Sequence, residues 1–105
     1  MENFDRFCPI GPGTADEVTD PHNLGIRCTV NGEVLQDSCT DQLIFRVDQL
    51  IAYLSQVFTL MPGDLVLTVT PAGVGMGRTP PIWLKAGDNI VPEIDQLGRL
   101  ENQIV

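Results

Sequence analysis

Two hydrophobic periodicities run along the chain, and the change from one to the other marks its parts. Ile26, Cys28 and Val30 alternate with Arg27 and Thr29, the two-residue period of a half-buried strand. Asn31-Gly32 follows. Both residues tolerate the left-handed backbone of a two-residue hairpin turn, so residues 25–36 are predicted to form a β-hairpin. From Val47 the period lengthens. Val47, Leu50, Ile51, Leu54, Val57 and Phe58 recur at three- and four-residue intervals, which places one apolar stripe on a helix. Pro62-Gly63 stops that helix soon after Leu60, and its stripe is expected to bury against the sheet.

The stretch at 62–75 combines three kinds of physics. Pro62-Gly63-Asp64 is turn chemistry, with proline presetting φ and glycine supplying the positive φ. Residues 65–70 are aliphatic, β-branched and uncharged, too short a run for a typical helix, and are predicted to be a buried central strand. Thr70-Pro71 ends the run, and Gly73, Gly75 and Gly77 leave a loop with little side-chain cover. A strand that delivers a threonine hydroxyl and bare backbone to one place suits a small anion or a carbonyl. The plainer alternative is a glycine-rich loop that only turns a corner.

The remaining segments are shorter. Pro9, Pro12 and Pro21 with Gly11, Gly13 and Gly25 make the entry extended and turn-rich, with a single helical turn predicted at 14–17. His22, in Asp-Pro-His-Asn, is expected to hydrogen-bond within a turn. Pro80-Pro81 holds the following residues extended. Ala86-Gly87-Asp88 repeats the turn chemistry of Pro62-Gly63-Asp64, so the same turn is expected to introduce two strands. The second of these covers 89–94, demoted toward a sheet edge by Pro92, and Gly98 turns it into a weaker alternation at 99–105. The prediction is a single domain over residues 1–105, mixed but mostly β, with one main helix.

Composition narrows the function. Six Lys and Arg against 14 Asp and Glu give a net charge of −8, which repels phosphate backbones and anionic lipid and disfavours nucleic-acid and membrane-surface roles. Aromatics are only 6%, so any core is built from Leu, Ile and Val. Cys8, Cys28 and Cys39 form no Cys-x-x-Cys, so neither a zinc site nor a redox pair is indicated, and free thiols in a reducing compartment are expected. No apolar run approaches the roughly 20 residues of a membrane span, and the first residues resemble neither a secretory signal nor a transit peptide. A soluble, intracellular and cytoplasmic chain is expected, or a mitochondrial one if the N-terminus is incomplete.

Several chemistries fail on their motifs. The glycines at 73–77 lack the Gly-Lys-Ser/Thr ending of a phosphate loop, and Arg78-Thr-Pro-Pro follows where a dinucleotide fingerprint needs a helix. Ser38 and Ser55 sit in no nucleophile elbow, and His22 is the sole histidine. No Glu-x-Glu or His-x-His pair occurs.

Larger motifs occur together in one order. They are Phe4-Asp5-x-Phe7-Cys8-Pro9-Ile10-Gly11-Pro12, Asp20-Pro21-His22-Asn23-Leu24, Val30-Asn31-Gly32-Glu33, Leu50-Ile51-x-Tyr53-Leu54-Ser55-Gln56 and Pro62-Gly63-Asp64 through Thr70-Pro71-Ala72-Gly73-Val74-Gly75. With Pro80-Pro81 and Leu97-Gly98, this order resembles the fumarylacetoacetate hydrolase family over nearly the whole chain, in the C-terminal part of its catalytic domain. The resemblance implies a partial β-sandwich or roll. It also implies a divalent ion, Mg²⁺ or Mn²⁺, that holds a 2-oxo or diketo acid for C–C hydrolysis, decarboxylation or tautomerisation. It puts Thr70 at the substrate carboxylate, with Pro71 and Gly73 beside it, and Val69 where the family has glycine. The family's metal ligands lie upstream of the Phe-Asp motif at which this chain begins, so the resemblance implies no metal bound by this chain alone and no activity alone. As partners it implies a small 2-oxo acid, and either a homodimer or pairing with a full-length paralogue as a non-catalytic interaction module.

Overall fold

The computed structural model describes residues 8–13, 15–68 and 70–105. Five strands form one antiparallel sheet: β1 (Gly25–Val30), β2 (Glu33–Cys39), β3 (Asn89–Ile94), β4 (Gly98–Arg99) and β5 (Asn102–Gln103). The order is β2-β1-β3-β4, with β5 also on β3. One α-helix, α1 (Val47–Val57), and three short 3₁₀ turns complete the regular structure of the described residues. The mostly β reading with one main helix therefore holds. The turn predicted at 14–17 is a 3₁₀ turn, Ala15–Glu17, with Thr14 outside the described residues.

The hairpin forms as its sequence predicts. Val30 pairs with Glu33, and Asn31 and Gly32 carry φ of 52° and 83°, the left-handed pair of a type I′ turn. The hairpin is then locked to β3. Asn31 donates its backbone N–H to Asn89 O at 2.9 Å, and Asn31 Oδ1 accepts from Asn89 N at 2.8 Å. Asn31 Nδ2 also donates to Asp88 Oδ1 at 2.9 Å. The side-chain hydrogen bond from Asn31, and the backbone N–H of Lys85, hold the Asp88 carboxyl below its ordinary pKa. The two turn sequences do adopt one geometry. Asp64 N–H reaches Met61 O and Asp88 N–H reaches Lys85 O. Each aspartate side chain accepts from the first residue of its turn at 2.8 Å, and Gly63 and Gly87 have φ of 92° and 94°.

Three expectations are corrected. Residues 65–68 and 70 belong to no strand, and Leu65, Val66 and Leu67 are exposed. The apolar run reports a preference for burial, but no strand among the described residues pairs with it, so a strand follows only the second of the two matching turns. The stripe of α1 does not bury on the sheet either. No residue of α1 is buried, and Ile51, Val57 and Phe58 are exposed while Leu50 and Leu54 are only half-covered. Finally, β3 is central rather than an edge, flanked by β1 on one side and by β4 and β5 on the other. Pro92 is tolerated because its carbonyl accepts from Leu100 N at 3.0 Å, so its donorless nitrogen faces the same side. That is where the ladder passes from β4 to β5 and no partner carbonyl is required. Leu24 and Val91 are the buried hydrophobics of the described residues.

Candidate functional site

The site begins with an irregularity in β2. Cys28 pairs with Gln36, but the next residue of β1, Thr29, pairs with Val34. Leu35 is thus the extra residue of a β-bulge, which bends a strand and frees one residue from the ladder. β2 is an outer strand of the sheet, and the segment after Thr70 docks against it at this bulge. The Arg78 guanidinium donates to Leu35 O, and Arg78 Nε donates to Gly73 O at 3.2 Å. The neighbouring Gln36 side chain donates through Nε2 to Thr70 Oγ1 at 3.1 Å and to Pro71 O at 2.8 Å.

Glycine is required for that approach at two positions. Gly73 has φ of 109°, and a Cβ there would overlap Leu35 O. A Cβ on Gly75 would overlap Ile82 O, since Ile82 N–H donates to Gly75 O at 2.9 Å and draws the two backbones together. Gly77 is different, with Val74 Cγ2 at 3.5 Å from a built Cβ. Gly73 and Gly75 are therefore packed against backbone, and Gly75 and Gly77 are folded into a 3₁₀ turn, Gly75–Gly77, rather than left as a bare loop.

Between this loop and the end of β2 lies an open cleft of about 390 Å³ whose wall includes Ser38, Thr40, Thr68, Thr70, Pro71 and Ala72. Ile26, Leu43 and Ile44 add apolar surface. Thr40 is fixed by the fold, because its Oγ1 accepts from Leu24 N at 2.9 Å and its own N–H donates to Leu24 O at 2.9 Å. Of the residues expected at a substrate, Thr70 and Pro71 meet in this wall, while Gly73 lies behind it on Leu35. Val69 is outside the described residues.

The electrostatics of the cleft contrast with those of the chain. Among the described residues, four with hydroxyls line it and no Asp or Glu does, although the chain carries −8 overall. Each hydroxyl offers one proton to a ligand acceptor. No histidine or lysine lines the cleft. His22 is elsewhere: its Nδ1 accepts from Arg46 Nη2 at 2.8 Å. Its Nε2 faces Asp48 Oδ1 at 3.6 Å. His22 N–H also donates to Asp20 Oδ1 at 3.0 Å, so this histidine ties a turn to the start of α1, as a turn-side hydrogen-bonder should. Cys8, Cys28 and Cys39 are free thiols, and burial raises the pKa of Cys28.

The same donor set tests a metal. Among the described residues no three His, Cys, Asp or Glu side chains converge as ligands. These residues do not fit Mg²⁺ or Mn²⁺, and no chemical step is derived through an ion. Among them, too, no helix is long and apolar enough to cross a membrane.

No local pattern marks Ser38, Thr40, Gln36 or Arg78 as residues of this site. Ser38 and Thr40 carry no motif, and the bonds of Gln36 span 34 and 35 residues of chain, beyond any local pattern.

Known proteins share this architecture. The family model described as Fumarylacetoacetate (FAA) hydrolase C-terminal matches residues 1–105. The mitochondrial oxaloacetate tautomerase of Xenopus laevis is 54% identical over 106 residues, which cover 99% of this chain and 33% of that protein. The solved structure of the fumarylacetoacetate hydrolase of Exiguobacterium antarcticum superposes with a TM-score of 0.89 at 40% identity, over 96% of this chain and 37% of that one. The maleylpyruvate hydrolase of Sphingobium sp. SYK-6, solved in complex with manganese(II) ion and pyruvate, superposes at 0.82 and 40% identity over 97% and 37% of the two chains. The chain thus spans about a third of the length of the relatives it matches.

Proposed function

Because the chain belongs to the fumarylacetoacetate hydrolase family, we propose that it supplies the carboxylate-binding wall of a 2-oxo acid site, in an enzyme that hydrolyses or tautomerises such acids. The observation that carries this reading is the cleft wall itself, where the described residues supply four hydroxyls and no carboxylate in a chain of net charge −8. Thr70 donates its hydroxyl proton to the ligand carboxylate, a charge-assisted bond about twice as strong as a neutral one. Pro71 shapes the wall next to it, and Gly73 lets the loop close on β2. The described residues offer no ligand set for the family's ion, and no step is assigned to one. Among the described residues the wall holds no carboxylate, histidine or lysine, and Cys39 is its one side chain able to move a proton, so on this reading the 105-residue chain binds the acid rather than turning it over. The mitochondrion is the compartment we propose, after the Xenopus relative.

The test is a pyruvate titration of the ¹⁵N-labelled chain. Saturable shifts are expected at Thr70, Ala72, Ser38 and Thr40. No saturable shift, or shifts centred on another face, would refute the reading.

A second reading has its own observation. Ile44, Phe45, Tyr53, Leu67, Met76 and Trp83 are each more than 60% exposed. Phe45, Leu50 and Tyr53 line one apolar hollow, which suits an interaction face, and the occupant proposed is a full-length relative, with this chain as a non-catalytic module. Co-expression with a tagged full-length relative should yield a stable complex, and a monomer indifferent to it would exclude the reading.

A further inference from the structure

We infer that Gln36 is a positioning residue that makes the Thr70 hydroxyl a donor toward the cleft. This rests on the reading of Thr70 as the residue that meets the ligand carboxylate.

The argument starts with Pro71. Its carbonyl oxygen can only accept, and it lies 2.8 Å from Gln36 Nε2. The reversed amide would set two acceptors against each other at that distance, so the nitrogen must face Pro71 and the orientation of the Gln36 amide is fixed. The same nitrogen lies 3.1 Å from Thr70 Oγ1. One N–H therefore goes to the proline carbonyl and the other to the threonine oxygen. Thr70 Oγ1 spends a lone pair on this bond, so its own proton must point away from Gln36. Among the described residues no protein acceptor takes that proton, and Thr70 lines the cleft. A free hydroxyl rotates between donating and accepting. This one has one of its three positions taken by the Gln36 donor, which leaves the proton only two and biases the hydroxyl toward donating before any ligand arrives, a partial preorganisation that favours an anion.

The strand supplies the geometry. Gln36 follows the bulged Leu35, and the Arg78 guanidinium on Leu35 O with Nε on Gly73 O keeps the loop at the distance the Gln36 bonds need. Gln36 does not line the cleft and acts on the ligand only through Thr70.

The experiment is a double-mutant cycle with pyruvate as the probe, using Thr70→Val, Gln36→Met and the double variant of the full 105-residue chain. Thr70→Val is expected to weaken pyruvate binding about tenfold and Gln36→Met about two- to tenfold. In the Thr70→Val background Gln36→Met is expected to have no further effect, because the group it orients is gone. Weakening of equal size in both backgrounds, or none in either, overturns the positioning role while the carboxylate reading stands. An unchanged affinity in Thr70→Val overturns the carboxylate reading instead. A ligand-free measurement decides the hydrogen bonds separately: Thr70→Val should shift one of the two Gln36 side-chain amide protons and leave the proton on Pro71 O in place. If neither proton moves, Gln36 does not hold Thr70.

Discussion

Arg78 Nε donates to the carbonyl oxygen of Gly73, five residues earlier, at 3.2 Å. The same guanidinium reaches Leu35 O on the bulge of β2. One side chain thereby closes the glycine loop on itself and fastens it to the sheet. Replacement by Met keeps the apolar stem and removes both bonds. Arg78→Met should cost about 1.5–3 kcal/mol of stability, the range for charge-assisted hydrogen bonds, measured by urea unfolding. Amide exchange at Gly77 and Arg78, which donate to Val74 O and Gly75 O, should quicken by more than exchange in β1. Equal quickening everywhere would show that Arg78 has no special hold on the loop.

The three loop glycines should respond unequally to alanine. Gly73→Ala and Gly75→Ala drive a Cβ into Leu35 O and Ile82 O, and the first also strains a φ of 109°. Backbone cannot yield cheaply, so each is expected to cost more than about 1 kcal/mol. Gly77→Ala meets Val74 Cγ2 at 3.5 Å, an ordinary contact, and should be within about 0.5 kcal/mol of wild type. Thermal unfolding of the three variants checks the order, and a Gly77→Ala loss equal to the others would contradict it.

Thr40 should matter for folding as much as for the cleft. Leu24 is only 4% exposed, and its N–H depends on Thr40 Oγ1 at 2.9 Å. Thr40→Val keeps the shape and leaves that donor unpaired, at a cost of about 1–3 kcal/mol. Thr40→Ser restores the acceptor and should recover most of it. Equal losses in the two variants would mean that packing, not the hydrogen bond, is what Thr40 provides.

Acid should loosen the joint between the hairpin and β3. The Asp88 carboxyl is held below its ordinary value, first by the Asn31 side chain and then by Lys85 N–H. A lowered folded-state pKa contributes stability that is present above the unfolded pKa and lost as pH falls through the folded one. Asp88→Asn removes this group from the titration. The wild-type melting temperature should therefore fall more steeply than that of Asp88→Asn once pH drops below the ordinary carboxylate range. Parallel curves would remove Asp88 from the acid response.

Much of this framework is legible in local sequence, and the reason is chemical. Asn31-Gly32 can hardly do anything but turn, and the two Gly-Asp turns match down to their aspartate acceptors. The failures share one cause. Apolar patterning at 65–68 and along α1 states a demand for burial without naming what covers it, and here those faces are exposed. The missing donor of Pro92 argues for an edge, but the side that nitrogen faces is set by Leu100, eight residues on. The cleft was half visible: Thr70 and Pro71 were marked by family resemblance, but Gln36, Ser38 and Thr40 reach the site through a bulge and a pairing register that no residue spacing reveals.

The central claim is that Thr70 is the carboxylate donor of this cleft. The most direct measurement is the ratio of pyruvate dissociation constants for Thr70→Val and wild type, taken on folded protein at fixed pH and ionic strength. A ratio of about ten is expected for the loss of one charge-assisted hydrogen bond. A ratio near one would contradict the account and leave the loop as a structural clamp on the edge of β2.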